Sequence, residues 1–249
     1  MGLLGNIFKK KDKVLPLMDM SVLKTDVHSH FIPGIDDGSK SIEESVELIT
    51  EMEKMGYSKV ITTPHIMSDY YRNTPEIILS GLDKVREALV KAGSKMQIEA
   101  AAEYYIDFDF QDKIKEKKLL TFGNNYVLFE MPFIGEPQTL NTVIFDMQMA
   151  GYKPVLAHVE RYTFWHNEYE KIQSMKDKGV LLQLNINSLS GHYSPQVRKI
   201  AEKMVNENMF DLLGSDCHNL NHIDLLNQTR TMEYLHKIAG FQGLINSKL

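Results

Sequence analysis

From end to end, the 249-residue chain alternates short apolar runs with longer segments of helical spacing. Seven runs read as strands: residues 23–28, 59–65, 97–104, 126–131, 153–158, 180–186 and 210–216. Most are apolar on consecutive rather than alternate positions, the pattern of strands covered on both faces and so of a parallel sheet. In residues 41–56, Ile42, Val46, Ile49 and Met52 recur at helical spacing, and Gly56 falls just past the end. Residues 74–93 open with Thr74 as N-cap and Pro75 at the first helical position. Further helices are expected over 141–152, 169–179, 194–208 and 223–240. This run of βα units predicts one α/β domain, a barrel rather than an open sheet. An open nucleotide-binding sheet would carry a Gly-rich turn after its first strand, and "PGIDDG" is not that turn.

A barrel brings the C-terminal ends of all its strands to one mouth. Here the first segment ends in His28 and runs on to His30, the second ends in His65, the third near Glu103 and the fourth at Glu130. The fifth ends in His158, the sixth in Asn185 and Asn187, the seventh in Asp216 and His218. One histidine at one strand end is more often a packed side chain than a ligand. Six of seven ends bearing His, Asp or Glu point instead to a metal-binding mouth. Imidazole with carboxylate suits manganese, iron or zinc. A closed structural zinc site would call for cysteines, and Cys217 is the only one. The donors exceed what one ion needs, so two or three ions with a bridging carboxylate are expected. Such a cluster can polarise a phosphoryl oxygen and lower the pKa of water.

Arg161, three residues past His158, reads as a fork-shaped phosphate clamp, the plainer reading being an ion pair with Glu160 or another acid. Arg72, in "HIMSDYYRN", reads either as a second substrate contact or as a solvated loop arginine, while Tyr70 and Tyr71 beside it read as loop packing sooner than as flanks of an aromatic substrate. His166, His192, His222 and His236 are not expected as ligands, although His192 should lie near the mouth. A cysteine-dependent tyrosine phosphatase needs an arginine six residues after its cysteine, and that position holds Ile223. The sequence has neither a G-x-S-x-G elbow nor a Walker loop.

The net charge of −5 argues against a nucleic-acid surface. A single cysteine excludes an internal disulfide and fits a reducing, cytoplasmic compartment. No apolar run approaches the ~20 residues of a membrane span. The opening "MGLLGNIFKKKDK" is apolar then basic, the wrong order for a secretory signal and too short. Transient contact with an anionic membrane surface is one reading of it, a disordered or loosely docked tail the plainer one. The expected organisation is a tail over 1–22 and one catalytic barrel over 23–249.

Taken in order, "DVHSH", "PGIDDG", "TTPH", "AAEYY", "LFEMPF", "AHVERY" and "GSDCHN" resemble the polymerase-and-histidinol-phosphatase (PHP) superfamily. Within it they are similar to the CpsB/CapC-like bacterial metal-dependent tyrosine-protein phosphatases of capsule and exopolysaccharide biosynthesis. The resemblance covers roughly residues 23 to 240. It implies a distorted (β/α)7 TIM-like barrel and a site of two or three divalent ions, usually manganese, with iron or zinc as alternatives. Carried over by position, it implies His28, His30, Asp216 and a bridging Glu103 at the first ion. Glu103, Glu130 and His158 would serve the second; Asp37, His65 and His218 the third, with Asp37 preferred to the adjacent Asp36. Arg161 matches the family's phosphate-binding arginine, so Arg161, Glu103 and Asp216 are the expected catalytic residues. The implied activity is hydrolysis of phosphotyrosine in a protein, and the expected partner is a tyrosine kinase regulating polysaccharide export. The rival readings are a histidinol-phosphate type of small-molecule phosphatase and a non-catalytic phosphotyrosine-binding module. The intact ligand set weighs against the latter.

Overall fold

A computed structural model describes residues 14–249. Nine short strands carry the wall: β1 (Thr25–Asp26), β2 (Lys59–Thr62), β3 (His65–Ile66), β4 (Gln97–Ala100), β5 (Glu103–Tyr105), β6 (Tyr126–Glu130), β7 (Lys153–Leu156), β8 (Leu181–Asn185) and β9 (Leu212–Gly214). Every pairing between them is parallel. The order is β1-β2-β4 in one sheet and β3-β5-β6-β7-β8-β9 in another. The two sheets are parts of one wall. β2 pairs with β4 through Thr62↔Ala100, and three residues on β3 pairs with β5 through His65↔Glu103, at the same offset. The gap falls at Pro64, which has no N–H to give to a ladder. The expected strands 59–65 and 97–104 are therefore each interrupted rather than continuous, and seven staves result.

The first and seventh staves close the ring just beyond their strands. Ser29 bridges Cys217 in parallel, the His30 N–H donates to the Cys217 carbonyl at 2.9 Å, and the Asp216 N–H donates to the His28 carbonyl at 2.8 Å. The architecture is thus an α/β barrel of seven staves, distorted where the strands break. Inside it Val27, Ile61, Ala101, Leu128, Val155 and Leu212 form a dry cluster with Phe122, so the lower half of the ring is a packed core.

The outer layer is helical: α1 (Ile42–Lys54), α2 (Pro75–Lys91), α3 (Phe110–Lys115), α4 (Leu140–Met149), α5 (Glu170–Asp177), α6 (Pro195–Glu207), α7 (Leu220–Thr229) and α8 (Glu233–Ala239). The Ser41 and Thr74 side chains accept N–H bonds from Glu44 and Ile77, satisfying donors that the first turns of α1 and α2 leave open. α2, α4 and α5 pack directly on strands, α2 against β4, and α2 buries the stripe Ile78, Leu82, Val85 and Leu89.

Three elements differ from expectation. α3 arises at a stretch too short to show a period, held by buried Phe110 and Ile114. The single helix expected over 223–240 is two. Its break is made from outside: the Arg230 carbonyl accepts the Met18 N–H at 2.9 Å, and the Thr231 carbonyl accepts the Leu15 N–H at 2.8 Å. The expected tail over 1–22 therefore divides. Residues 14–22 dock, burying Met18 and Met20 in the core, whereas 1–13 lie outside the described residues, and with them the stretch read as a membrane contact. No helix among the described residues is long and apolar enough to cross a membrane.

Candidate metal centre

Strand periodicity delivers side chains to the mouth. Ala101 and Leu128 point into the dry interior, and two residues further along the same staves stand Glu103 and Glu130. The turn after β1 is tight. Gly34 has φ +73°, and a Cβ on Gly38 would come within 2.2 Å of the His30 carbonyl oxygen, so "PGIDDG" folds back onto the histidines. His158 and Asp216, just past β7 and β9, both sit in the left-handed region at φ 33° and 51°. For residues other than glycine that costs roughly 1–3 kcal/mol each, and here it turns two side chains into the cavity.

The cavity, about 490 Å³, is lined by Asp37, His65, Glu103, Glu130, His158, Arg161, Asp216 and His218 among others, with His28 and His30 buried beneath. Four overlapping sets have donor atoms within 4.8 Å of one another: His30, Asp37, His65 and His218; His28, His30 and Glu103; His28, His158 and Asp216; His65, Glu103 and Glu130. All nine residues expected at the metals are brought together. The grouping is more shared than expected: His30 also joins the Asp37 set, and His65 reaches Glu103 and Glu130 through Nδ1, 3.2 Å from each. His158 Nε2 lies 3.0 Å from Glu103 and 3.7 Å from Glu130.

The proton inventory tests whether these residues fit cations. Gln183 Oε1 can only accept, so His28 Nδ1, 3.0 Å away, donates to it. His30 Nδ1 donates to Asp36 at 2.8 Å, and His218 Nδ1 to the Asp216 carbonyl at 2.9 Å. In the neutral imidazole each Nε2 then turns a lone pair inward, onto carboxylate oxygens. His28 Nε2 meets Glu103 at 3.1 Å and Asp216 at 3.4 Å, and His218 Nε2 meets Asp37 at 3.4 Å. His30 Nε2 is buried without a hydrogen-bond partner. Lone pairs facing carboxylates are stable only with positive charge between them, and outer partners that fix Nδ1 are what metal-binding histidines use. Protons answer the same demand. Burial alone would lower the His28 pKa, but the Glu103 and Asp216 carboxylates outweigh it and raise it to about 9. Glu103 and Asp216, despite their burial, are held well below the usual carboxylate range, chiefly by His28. The donor set fits divalent cations.

Arg161 is clamped rather than loose. Its Nη1 donates to Asp216 Oδ2 at 2.7 Å, and its guanidinium lies 4.1 Å from the Tyr193 ring centroid and 4.9 Å from that of Phe133. Glu160 instead turns away, its carboxylate taking the Asn185 N–H and the Ser188 hydroxyl. Arg72 does not reach the cavity. It is exposed, and its Nε donates to the Ser68 carbonyl at 2.8 Å. Tyr71 stacks on His65, which loop packing alone did not anticipate. His192 is exposed near His222 and joins none of the four sets.

Several contributors escaped the sequence reading. Gln183 binds both the His28 ring and the His158 N–H, and the signal available was an amide inside an apolar strand. Asn185, noted only as a strand end, donates to Asp216 at 2.9 Å and to the Tyr193 hydroxyl at 2.9 Å. Nothing local marks Phe133 or Tyr193, which meet Arg161 only in three dimensions.

A seven-stave (β/α) barrel whose mouth gathers nine candidate His, Asp and Glu ligands and a held guanidinium belongs to the metal-dependent barrel enzymes. The family described as "Capsular polysaccharide synthesis, CpsB/CapC" matches residues 24–240, and the chain belongs to it. The tyrosine-protein phosphatase YwqE of Bacillus subtilis is 27% identical over 196 residues, 78% of this chain and 77% of its own length. The tyrosine-protein phosphatase CpsB of Streptococcus agalactiae is 29% identical over 202 residues, 79% of this chain and 83% of its own. A crystal structure from a study of YwqE and of CpsB from Streptococcus pneumoniae, described as metal-dependent tyrosine phosphatases, matches with a TM-score of 0.79 at 25% identity. It covers 90% of each chain.

Proposed function

We propose that this chain is a metal-dependent protein-tyrosine phosphatase. The relatives named as tyrosine-protein phosphatases support the activity, and the single observation that carries it is the set of inward-facing imidazole nitrogens packed against carboxylate oxygens beside a clamped arginine. His28, His30, Asp216 and Glu103 would hold one cation, Glu103, Glu130 and His158 a second, and Asp37, His65 and His218 a third. Two or three divalent ions, manganese first and iron or zinc as alternatives, suit that donor set. Bound there, they would polarise the phosphoryl oxygens and lower the pKa of water.

The chain's own residues do the rest. Arg161, held by Asp216 and two aromatic faces, keeps further N–H donors for the phosphoryl oxygens as charge grows on them. Asn185 and Tyr193 bond the same Asp216 oxygen and so fix where that guanidinium points. The leaving tyrosyl oxygen has a pKa near 10 and needs little protonation. Arg161, Glu103 and Asp216 are the catalytic residues in this reading, within one barrel domain beginning near residue 23. The substrate we assign is a phosphorylated tyrosine kinase that regulates polysaccharide export, met in the cytoplasm.

Metal analysis and phosphotyrosine-peptide hydrolysis on wild type, His28→Ala and Arg161→Ala test it. The first variant should lose metal and turnover, the second should keep metal and lose turnover. A wild-type protein loaded with manganese that leaves phosphotyrosine intact would sink the assignment.

A further inference from the structure

The loops that follow β3 and β5 frame a second groove, of about 360 Å³, beside the metal cavity. Met67 lines both, so the two adjoin across it. Beyond Met67 the groove is walled by Arg72, Phe108 and Lys113 and by the carboxylates of Asp69 and Asp109, among others. Its rim is rigid. Asp107 accepts the Ser68 N–H at 2.8 Å through one oxygen and the Asp109 and Phe110 N–H groups at 3.1 Å through the other, tying the two loops together. Met67 and Asn73 both donate to the Tyr71 carbonyl, and Arg72 Nε donates to the Ser68 carbonyl, which closes the first loop on itself. On these tethered loops stand apolar tips. Phe108 is 73% exposed and Tyr70 79%, and Ile134, on the next loop of the mouth, is 98% exposed. A single exposed apolar side chain needs no explanation, but here three stand on successive loops of one mouth, and of these Phe108 lines the groove itself.

We propose that this groove holds the polypeptide that flanks the phosphorylated residue, with the chain leaving the metal cavity over Met67. The inference rests on the phosphotyrosine reading above and adds what a free amino acid or small phosphate ester could not use. A phosphotyrosine bound at the metals and Arg161 has its backbone near the rim, and the neighbouring residues must lie on adjacent loops. The groove suits an extended segment with an apolar side chain: Phe108 offers a face, and the guanidinium of Arg72 keeps N–H donors beyond the one given to Ser68 for a peptide carbonyl or an acidic side chain. Because the loops are already tied, little ordering cost opposes binding. The arginine that does not reach the phosphoryl site thus acquires a place one residue further along the substrate.

The test compares kcat/KM on a phosphotyrosine nonapeptide with aliphatic flanks and on free phosphotyrosine. The enzymes are wild-type metal-loaded protein, the double variant Phe108→Ser/Arg72→Ala, and Phe145→Ser, another exposed aromatic, on α4. Wild type should prefer the peptide by tenfold or more. The double variant should lose that preference, through KM, with free phosphotyrosine changed less than twofold, and Phe145→Ser should behave as wild type. Both altered side chains are exposed, so the fold should survive, and circular dichroism checks this. Peptide and free phosphotyrosine falling in parallel, or a preference that persists in the double variant, overturns the groove and leaves the phosphatase reading standing. Wild type that hydrolyses neither overturns the phosphatase reading, and the groove with it.

Discussion

The floor and the mouth of the barrel are built on the same staves and obey opposite rules. Two residues separate buried, apolar Leu128 from Glu130, and Ala101 from Glu103; four separate Leu212 from Asp216. On the floor every contact lowers free energy by removing apolar surface from water, at roughly 25 cal/mol per Å². At the mouth, burial opposes the charges it encloses. Desolvation is the largest influence on His28, on Glu103 and on Asp216, and in each case the opposite charges nearby overcome it. Left-handed backbone at His158 and Asp216 adds to the mouth's cost. A barrel of this kind stabilises itself at one end and spends that stability at the other.

That division is open to attack from both ends. The largest effect belongs to the mouth. Glu103 contacts His28 and His65 through one oxygen and His158 through the other, so Glu103→Gln should remove metal and cut kcat/KM by about a thousandfold or more. By the barrier relation this is about 4 kcal/mol. Steady-state kinetics with metal analysis decides it, and near-normal turnover would mean that the carboxylate bridges nothing. On the floor, Leu128→Ala should cost about 2–5 kcal/mol in urea denaturation, while kcat/KM per folded molecule stays within twofold. If the folded variant has lost turnover, floor and mouth are not separable.

The same contrast explains what could be read in advance. The floor and its helices were legible because local pattern produces them: consecutive apolar positions, helical spacing through α1 and a capping residue ahead of α2. The mouth was half legible. Its ligand candidates stand at strand ends, where chemistry and position coincide, and the structure gathers all nine. Its supports were not, because each works through distant contacts. Gln183 reaches across from β8 to a ring past β1, and Phe133 and Tyr193 come to Arg161 from separate loops. The break between α7 and α8 has the same origin, since residues 15 and 18, far back in the chain, supply the bonds that split it. Arg72 lines the neighbouring groove and not the metal cavity, because its loop folds back through Ser68, a contact that proximity in sequence to His65 could not show.

Smaller effects probe the supports themselves. Arg161→Ala should retain metal yet lower kcat/KM by about a hundredfold, the scale of removing one donor from developing charge. Loss of metal together with turnover would instead make Arg161 a prop for Asp216, to which it donates at 2.7 Å. The finest discrimination lies between two neighbours. Asp37 faces His65 and His218 at 3.6 and 3.4 Å and is half exposed, whereas the Asp36 carboxylate is buried and takes His30 Nδ1, the His65 N–H and the Gly38 N–H. Asp36→Asn cannot keep all three bonds. With its amide nitrogen toward His30 it forces the proton from Nδ1 to Nε2 and blocks the inward lone pair; flipped, it sets two donors against each other at Gly38. Metal affinity should therefore fall by about 10–100-fold, the range found for outer partners of metal-binding histidines, without abolishing the site. Asp37→Asn, by contrast, removes an oxygen that itself faces the cation set. Titration of both variants with manganese would separate a residue that aims a ligand from one that is a ligand. An Asp36→Asn protein that binds manganese as tightly as wild type would show that His30 needs no such aim.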